Sequence, residues 1–99
     1  MALRLRITGR SASEVERADE WWCTNRPSAP RAFREDLKAA LDLLLKQAGV
    51  GVKVGNARLD GIRRLHLARV RYLVYYRVNG DELVVLSVWH SNRRAGPSL

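Results

Sequence analysis

The sequence predicts an α+β fold: a helical hairpin packed on one face of a curved antiparallel sheet, in the order β-α-α-β-β-β. Three observations carry that prediction. Residues 3–8 alternate apolar and polar. Two stretches with helical apolar spacing follow. From Ile62 onward the chain returns to a period of two, broken by the hairpin signal Asn79-Gly80. At 99 residues the chain suits a single domain, 1–99, with one core between two layers.

In the first strand Leu3, Leu5 and Ile7 share one face and Arg4, Arg6 and Thr8 the other, as a half-buried strand requires. Gly9-Arg10-Ser11 reads as a break. Two overlapping capping boxes, Ser11 with Glu14 and Ser13 with Glu16, can each start the first helix. Val15, Ala18, Trp22 and Trp21 lie toward one side of it, and Pro27 ends it near Asn25-Arg26. Ser28 can cap the second helix, with Pro30 tolerated in its first turn. Phe33, Leu37, Ala40, Leu41, Leu44 and Ala48 then form one apolar stripe. The pairs Glu35–Lys38 and Asp42–Lys46 sit at helical spacing on its outside. The short link between the helices implies an antiparallel hairpin.

Gly49, Gly51, Gly55 and Gly61 follow a helix, and Lys53 precedes a valine. The phosphate-loop pattern is therefore not met, and the glycines read as loop punctuation. Beyond them Leu65 and Leu67 alternate with Arg64 and His66. Tyr72, Val74, Tyr76 and Val78 alternate with Arg71, Leu73, Tyr75 and Arg77. The last strand, residues 83–89, is apolar on both faces, as a central strand is. Its parity depends on the turn. A two-residue turn sets Leu83 and Val85 beside Tyr76 and Val74; a bulged three-residue turn sets Val84 and Leu86 there. Residues 91–99 carry no pattern and are expected to fray.

Composition narrows the function. Fifteen arginines and three lysines face ten acids, a net charge of +8, of which +6 falls in residues 50–99. Such a half expects an acidic partner: nucleic acid, an acidic protein surface or an acidic peptide. The lone Cys23 excludes an internal disulfide and, beside two tryptophans, reads as a buried thiol. No apolar run approaches the length of a membrane span, and no signal-peptide core opens the chain, so a soluble cytoplasmic protein is expected. His66, His90 and Cys23 lack paired metal-ligand spacing, so no metal site and no cofactor is called for. Of the adjacent Trp21 and Trp22, one should pack beneath the sheet and the other remain partly exposed. The surviving candidate is the sheet face opposite the helices: Arg64, His66, Arg71, Leu73, Tyr75 and Arg77, with His90, Arg93 and Arg94 added from the chain's end. It can bind phosphate and stack a base, receive an acidic peptide, or use His66 as a general acid or base.

Three stretches together resemble the ParE/RelE superfamily of bacterial toxins. They are Gly61-Ile62-Arg63-Arg64-Leu65-His66-Leu67, Arg71-Tyr72-Leu73-Val74-Tyr75-Tyr76-Arg77-Val78, and Leu86-Ser87-Val88-Trp89-His90 with Arg93-Arg94. Trp21-Trp22, Asn25-Arg26-Pro27 and Ala29-Pro30 resemble its ParE-like branch, the plasmid-stabilisation type. The resemblance implies the toxin of a type II toxin-antitoxin system, neutralised by the acidic C-terminal segment of a cognate antitoxin. The superfamily divides by mechanism. RelE-type members cut messenger RNA on the ribosome, with an Arg directly after the Tyr of the third strand and a Tyr near the C-terminus. Arg64 and His66 match the second-strand positions of such a nuclease. Leu73 follows Tyr72, however, Ser91 follows His90, and no Tyr follows Tyr76. The resemblance therefore implies DNA gyrase as the target, inhibited by binding. The ribosome or messenger RNA is the alternative, and a non-toxic relic that still binds antitoxin is a third.

Overall fold

A computed structural model of the chain describes residues 2–55, 58–93 and 96–99. Its elements are β1 (Arg4–Ile7), α1 (Gly9–Asn25), α2 (Ala32–Lys46), a 3-10 turn over Ala48–Val50, β2 (Val52–Lys53), β3 (Arg63–Leu67), β4 (Tyr72–Asn79) and β5 (Glu82–His90). The strands form one sheet in the order β1-β5-β4-β3-β2. Both helices pack on one of its faces. Ala18 of α1 and Phe33, Leu37 and Ala40 of α2 meet Leu67, Val74, Val85 and Val88 in the main core. Leu44, Tyr76 and Leu83 make a second, smaller cluster.

The sheet is mixed rather than antiparallel. β1 runs parallel to β5, with Leu5 opposite Leu83 and Ile7 opposite Val85. Hairpin turns dictate antiparallel pairing for β3-β4 and β4-β5. The first and last strands are joined by the whole intervening chain, whose helices form the crossover a parallel pair needs. β2, within the glycine-punctuated stretch expected to be loop, pairs with β3 at the far edge.

Helix α1 starts earlier than either capping box implies. Thr8 is its N-cap, and its hydroxyl accepts from the Ser11 N–H at 3.1 Å. Ser11 is buried and donates to the Val85 carbonyl at 2.9 Å. Tertiary partners thus displace the local box: Glu14 is drawn to β5 instead of its own helix terminus. Helix α2 starts later, at Ala32, with Arg31 giving no side-chain cap. The Trp22 indole takes the Ala29 carbonyl and the Cys23 thiol the Pro30 carbonyl. These contacts tie the link to α1. Cys23 is exposed there, not buried, because it lies on the link side of α1. On the outside of α2, Lys38 pairs with Asp42, and Glu35 turns to Arg69.

The parity of β5 begins as the two-residue turn requires and switches at a bulge within the strand; the three-residue turn that would set Val84 and Leu86 toward the helices does not form. The turn has two central residues, Gly80 and Asp81, with Asn79 opposite Glu82. Gly80 at φ +62° supplies the left-handed first position of a tight hairpin. Leu83 and Val85 then face the helices, opposite Val78 and Tyr76. The register shifts between Tyr75 and Tyr76, and Leu86 is the extra residue. Beyond this bulge Val88 and His90 face the helices. Val78, apolar by parity, stands beyond the reach of the helices and is exposed.

Candidate functional site

Residues directly opposite one another in a ladder share a face. Across β3, β4 and β5 the register sets Arg64, Tyr75 and Ser87 in one row and His66, Leu73 and Trp89 in the next, with Arg77 opposite Val84. Arg64, His66, Leu73, Tyr75 and Arg77 lie on the face turned away from the helices, whereas Ser87 and Trp89, at the β5 end of the rows, reach Glu14 and Arg10 of α1. Arg64 and His66 are exposed and Leu73 and Arg77 half-buried. Among the described residues, no carboxylate comes within ion-pair distance of Arg64 or Arg77. One shallow cleft is lined by Val52, Arg64, His66, Leu73 and Ser91. A second, on the other side of Arg64, is lined by Val54, Arg58, Tyr75 and residues 96–99.

That second cleft changes the expected face. The chain's end crosses it. The Ser98 carbonyl accepts from the Arg10 guanidinium at 2.8 Å and the Leu99 carbonyl from the Arg58 N–H at 2.8 Å. A Cβ on Gly96 would stand 3.3 Å from the Tyr75 hydroxyl. Tyr75 is accordingly only 4% exposed. Residues 96–99, part of the segment expected to fray, instead roof the middle of the face.

The other expected residues lie elsewhere. Arg71 precedes β4 in a turn closed by its own N–H to the Leu67 carbonyl. Its φ is +61°, a left-handed conformation that costs a non-glycine residue about 1–2 kcal/mol. It lines a cleft with Trp21, Trp22, Arg26 and His90 at the C-terminal end of α1. His90 pairs with Tyr72 on the helix side of the sheet, ring edge to ring face at 5.0 Å. Arg93 lies over the Trp89 indole at 4.1 Å. Arg94 lies outside the described residues. The eight candidates among the described residues thus separate into an open-face group and an end group.

The sequence reading passed over Arg17, Arg26 and Trp89 in the end group. A signal was available: Arg26 follows Trp22, and Arg93 follows Trp89, by four residues. Arg26 lies 5.3 Å from the Trp21 ring and 5.9 Å from that of Trp22. Among the described residues no three potential metal ligands cluster, and no helix is long and apolar enough to cross a membrane.

Burial, and then the charges of Arg93 and Arg71, hold His90 below its usual value near 6.5. The unfolded chain therefore takes up a proton near pH 6.5 that the folded chain refuses until the pH is lower. This contribution to stability is present above that value and lost as pH falls through it. The thermal midpoint should drop between about pH 7.5 and 5.5, and the drop should be smaller in His90→Gln. An equal drop in both proteins would remove His90 as its cause.

The description "ParE toxin of type II toxin-antitoxin system, parDE" fits residues 5–95, nearly the whole chain. The chain belongs to the ParE toxin family. The same fold is seen in a solved structure titled as a chromosomal ParDE toxin-antitoxin system from P. aeruginosa. That structure matches with a TM-score of 0.73 at 20% identity, over 90% of this chain and 96% of the other. No curated protein matches the sequence significantly. Within this ParE-family chain, β3 to β5 carry the three stretches on which the resemblance was read, and they form the central antiparallel ladder.

Proposed function

We propose that this chain is a toxin that inhibits DNA gyrase by binding and is neutralised by a cognate antitoxin in the cytoplasm. In this reading an acidic C-terminal segment of the antitoxin sits on the open sheet face. One observation carries the proposal: Arg64, His66 and Arg77 share that face, and no carboxylate pairs with either arginine among the described residues. Such cations meet an acidic ligand without first breaking an internal ion pair. Leu73 supplies apolar contact between them. The ParDE assembly named for the matched structure supports an antitoxin as partner.

Binding is favoured over cleavage on chemical grounds. Cutting a phosphodiester needs a proton-transfer group and several positioned charges around one phosphate. Arg64 and His66 stand two residues apart on β3, which is the observation favouring a nuclease. Leu73, however, lies directly opposite His66, so an apolar side chain occupies the row where a second charge would serve. Tyr75 is covered.

Purified protein should inhibit gyrase supercoiling in a dose-dependent way, and the antitoxin encoded beside it should restore activity. Arg64→Ala and Arg77→Ala should each weaken antitoxin binding by about 1–3 kcal/mol and shift folding stability by no more than about 0.5 kcal/mol. Ribosome-dependent cleavage of messenger RNA with supercoiling untouched would overturn the reading in favour of the nuclease. Harmless expression with antitoxin binding retained would identify a relic.

A further inference from the structure

The cleft bounded by Val52, Arg64, His66, Leu73 and Ser91 has a volume of about 380 Å³, within the range of roughly 300–1,000 Å³ typical of ligand sites. It is more than a patch of cations. The register sets Val52 opposite Arg64 across β2 and β3, and Leu73 opposite His66 across β3 and β4. Two apolar side chains therefore stand on either side of β3, and the two polar ones stand on β3 between them. No carboxylate lines the cleft.

Val52 is 65% exposed, the most of any large apolar side chain among the described residues. On an edge strand such a residue is a liability unless something covers it. β2 is only two residues long, yet its place is fixed. The Gly51 N–H donates to the Tyr76 hydroxyl at 3.0 Å, and the Gly51 carbonyl accepts from the Arg63 guanidinium at 2.8 Å. A Cβ on Gly51 would stand 2.9 Å from the Arg64 carbonyl, closer than a side chain allows. The Val52 wall is thus in position before any ligand arrives, so covering it orders no backbone of this chain. Beyond Arg64, the neighbouring cleft is bordered by non-helical main chain, residues 96–99, with Pro97 and Leu99 half-buried. Peptide laid flat is therefore a form of ligand that this face already accommodates.

We propose that this cleft seats one apolar side chain of the antitoxin's acidic segment between Val52 and Leu73, with an acid two positions away in that segment on Arg64. The inference rests on the reading that the segment occupies the open face, and it adds the residues that select it. In an extended chain, residues two apart share a face, at about the spacing that separates the Arg64 row from the His66 row. Charge by itself draws any polyanion and mainly speeds encounter. An apolar side chain closed between two aliphatic walls is what a phosphate backbone or a run of acids lacks, and it slows departure. Val52 and Leu73 are on this account the specificity-determining residues of the face.

Calorimetric titration separates the two contributions. The probes are a synthetic peptide copying the acidic C-terminal segment of the antitoxin encoded beside this chain, and polyglutamate of the same length. The antitoxin peptide should bind about tenfold tighter or more, and should keep much of its affinity at high salt, where polyglutamate loses its own. Val52→Ser should weaken the antitoxin peptide about 4- to 15-fold, as expected for one or two methylenes returned to water, by the same factor at low and high salt. It should leave polyglutamate unchanged. Arg64→Ala should weaken both probes and flatten their salt dependence. Alanine scanning of the peptide should find one apolar residue whose loss makes Val52→Ser silent, the coupling expected of two groups in contact. Circular dichroism checks that each variant is folded. Full-strength binding by a folded Val52→Ser protein, or equal affinity for polyglutamate, overturns this inference; if Arg64→Ala still weakens binding, the open-face reading stands. A peptide that binds without responding to either variant lies elsewhere, and an absence of binding leaves the face without this ligand; either result sinks both.

Discussion

Phe33→Ala should lower the free energy of unfolding by about 3–5 kcal/mol. Phe33 is fully buried and meets Tyr72 edge to face at 5.0 Å; Tyr72 in turn meets His90 at 5.0 Å. The ring therefore holds α2 to the sheet and starts an aromatic chain that ends at His90, which lines a cleft with Trp21 and Trp22. A domain of this size has roughly 5–15 kcal/mol in total, so this one truncation removes a large part of it. Urea unfolding should show the midpoint falling with little change in slope. A loss below about 1 kcal/mol would mean that the surrounding residues collapse into the space.

Glu14→Ala should cost about 2–4 kcal/mol, an unusual loss for one acid of a surface helix. β1 ends at Ile7, opposite Val85, so no strand reaches the Val88 N–H. The Glu14 carboxylate takes the place of that strand, accepting from Val88 N at 3.1 Å and from the Ser87 hydroxyl at 2.9 Å. Its side chain is only 10% exposed, so removing it strands two donors out of easy reach of water. Glu16 on the same helix is exposed, and Glu16→Ala should stay within about 0.5 kcal/mol. The pair discriminates directly between a tertiary anchor and a helix-capping role, for which the two acids have equal claim by spacing. Equal, small losses would restore the capping reading.

Periodicity made most of the framework legible. The stripe from Phe33 to Leu44, the alternation of Leu65 and Leu67 with Arg64 and His66, and the Asn79-Gly80 turn are local patterns. Each reports which side of its own element is apolar, and one apolar face per element is enough to define two layers. The open-face residues Arg64, His66, Leu73 and Arg77 were legible for the same reason, since a residue's face in a strand follows from its parity. Parity failed wherever the chain departs from a regular repeat. The bulge at Leu86 reverses the faces of β5 midway, which moves His90 to the helix side. The left-handed turn at Arg71 takes that residue out of its strand's alternation.

What the sequence by itself determined is the set of elements, their apolar faces and the basic character of the face left uncovered. These depend on interactions within a few residues of one another. Only the tertiary structure decided the parallel pairing of β1 with β5, the capture of Ser11 and Glu14 by β5, the roof that residues 96–99 make over Tyr75, and the meeting of Trp21 with Trp89 in one cleft. Each of these joins groups more than twenty residues apart. No local pattern records such a pairing, because its partner is chosen by which backbone groups and ring faces are left unsatisfied once the layers have closed.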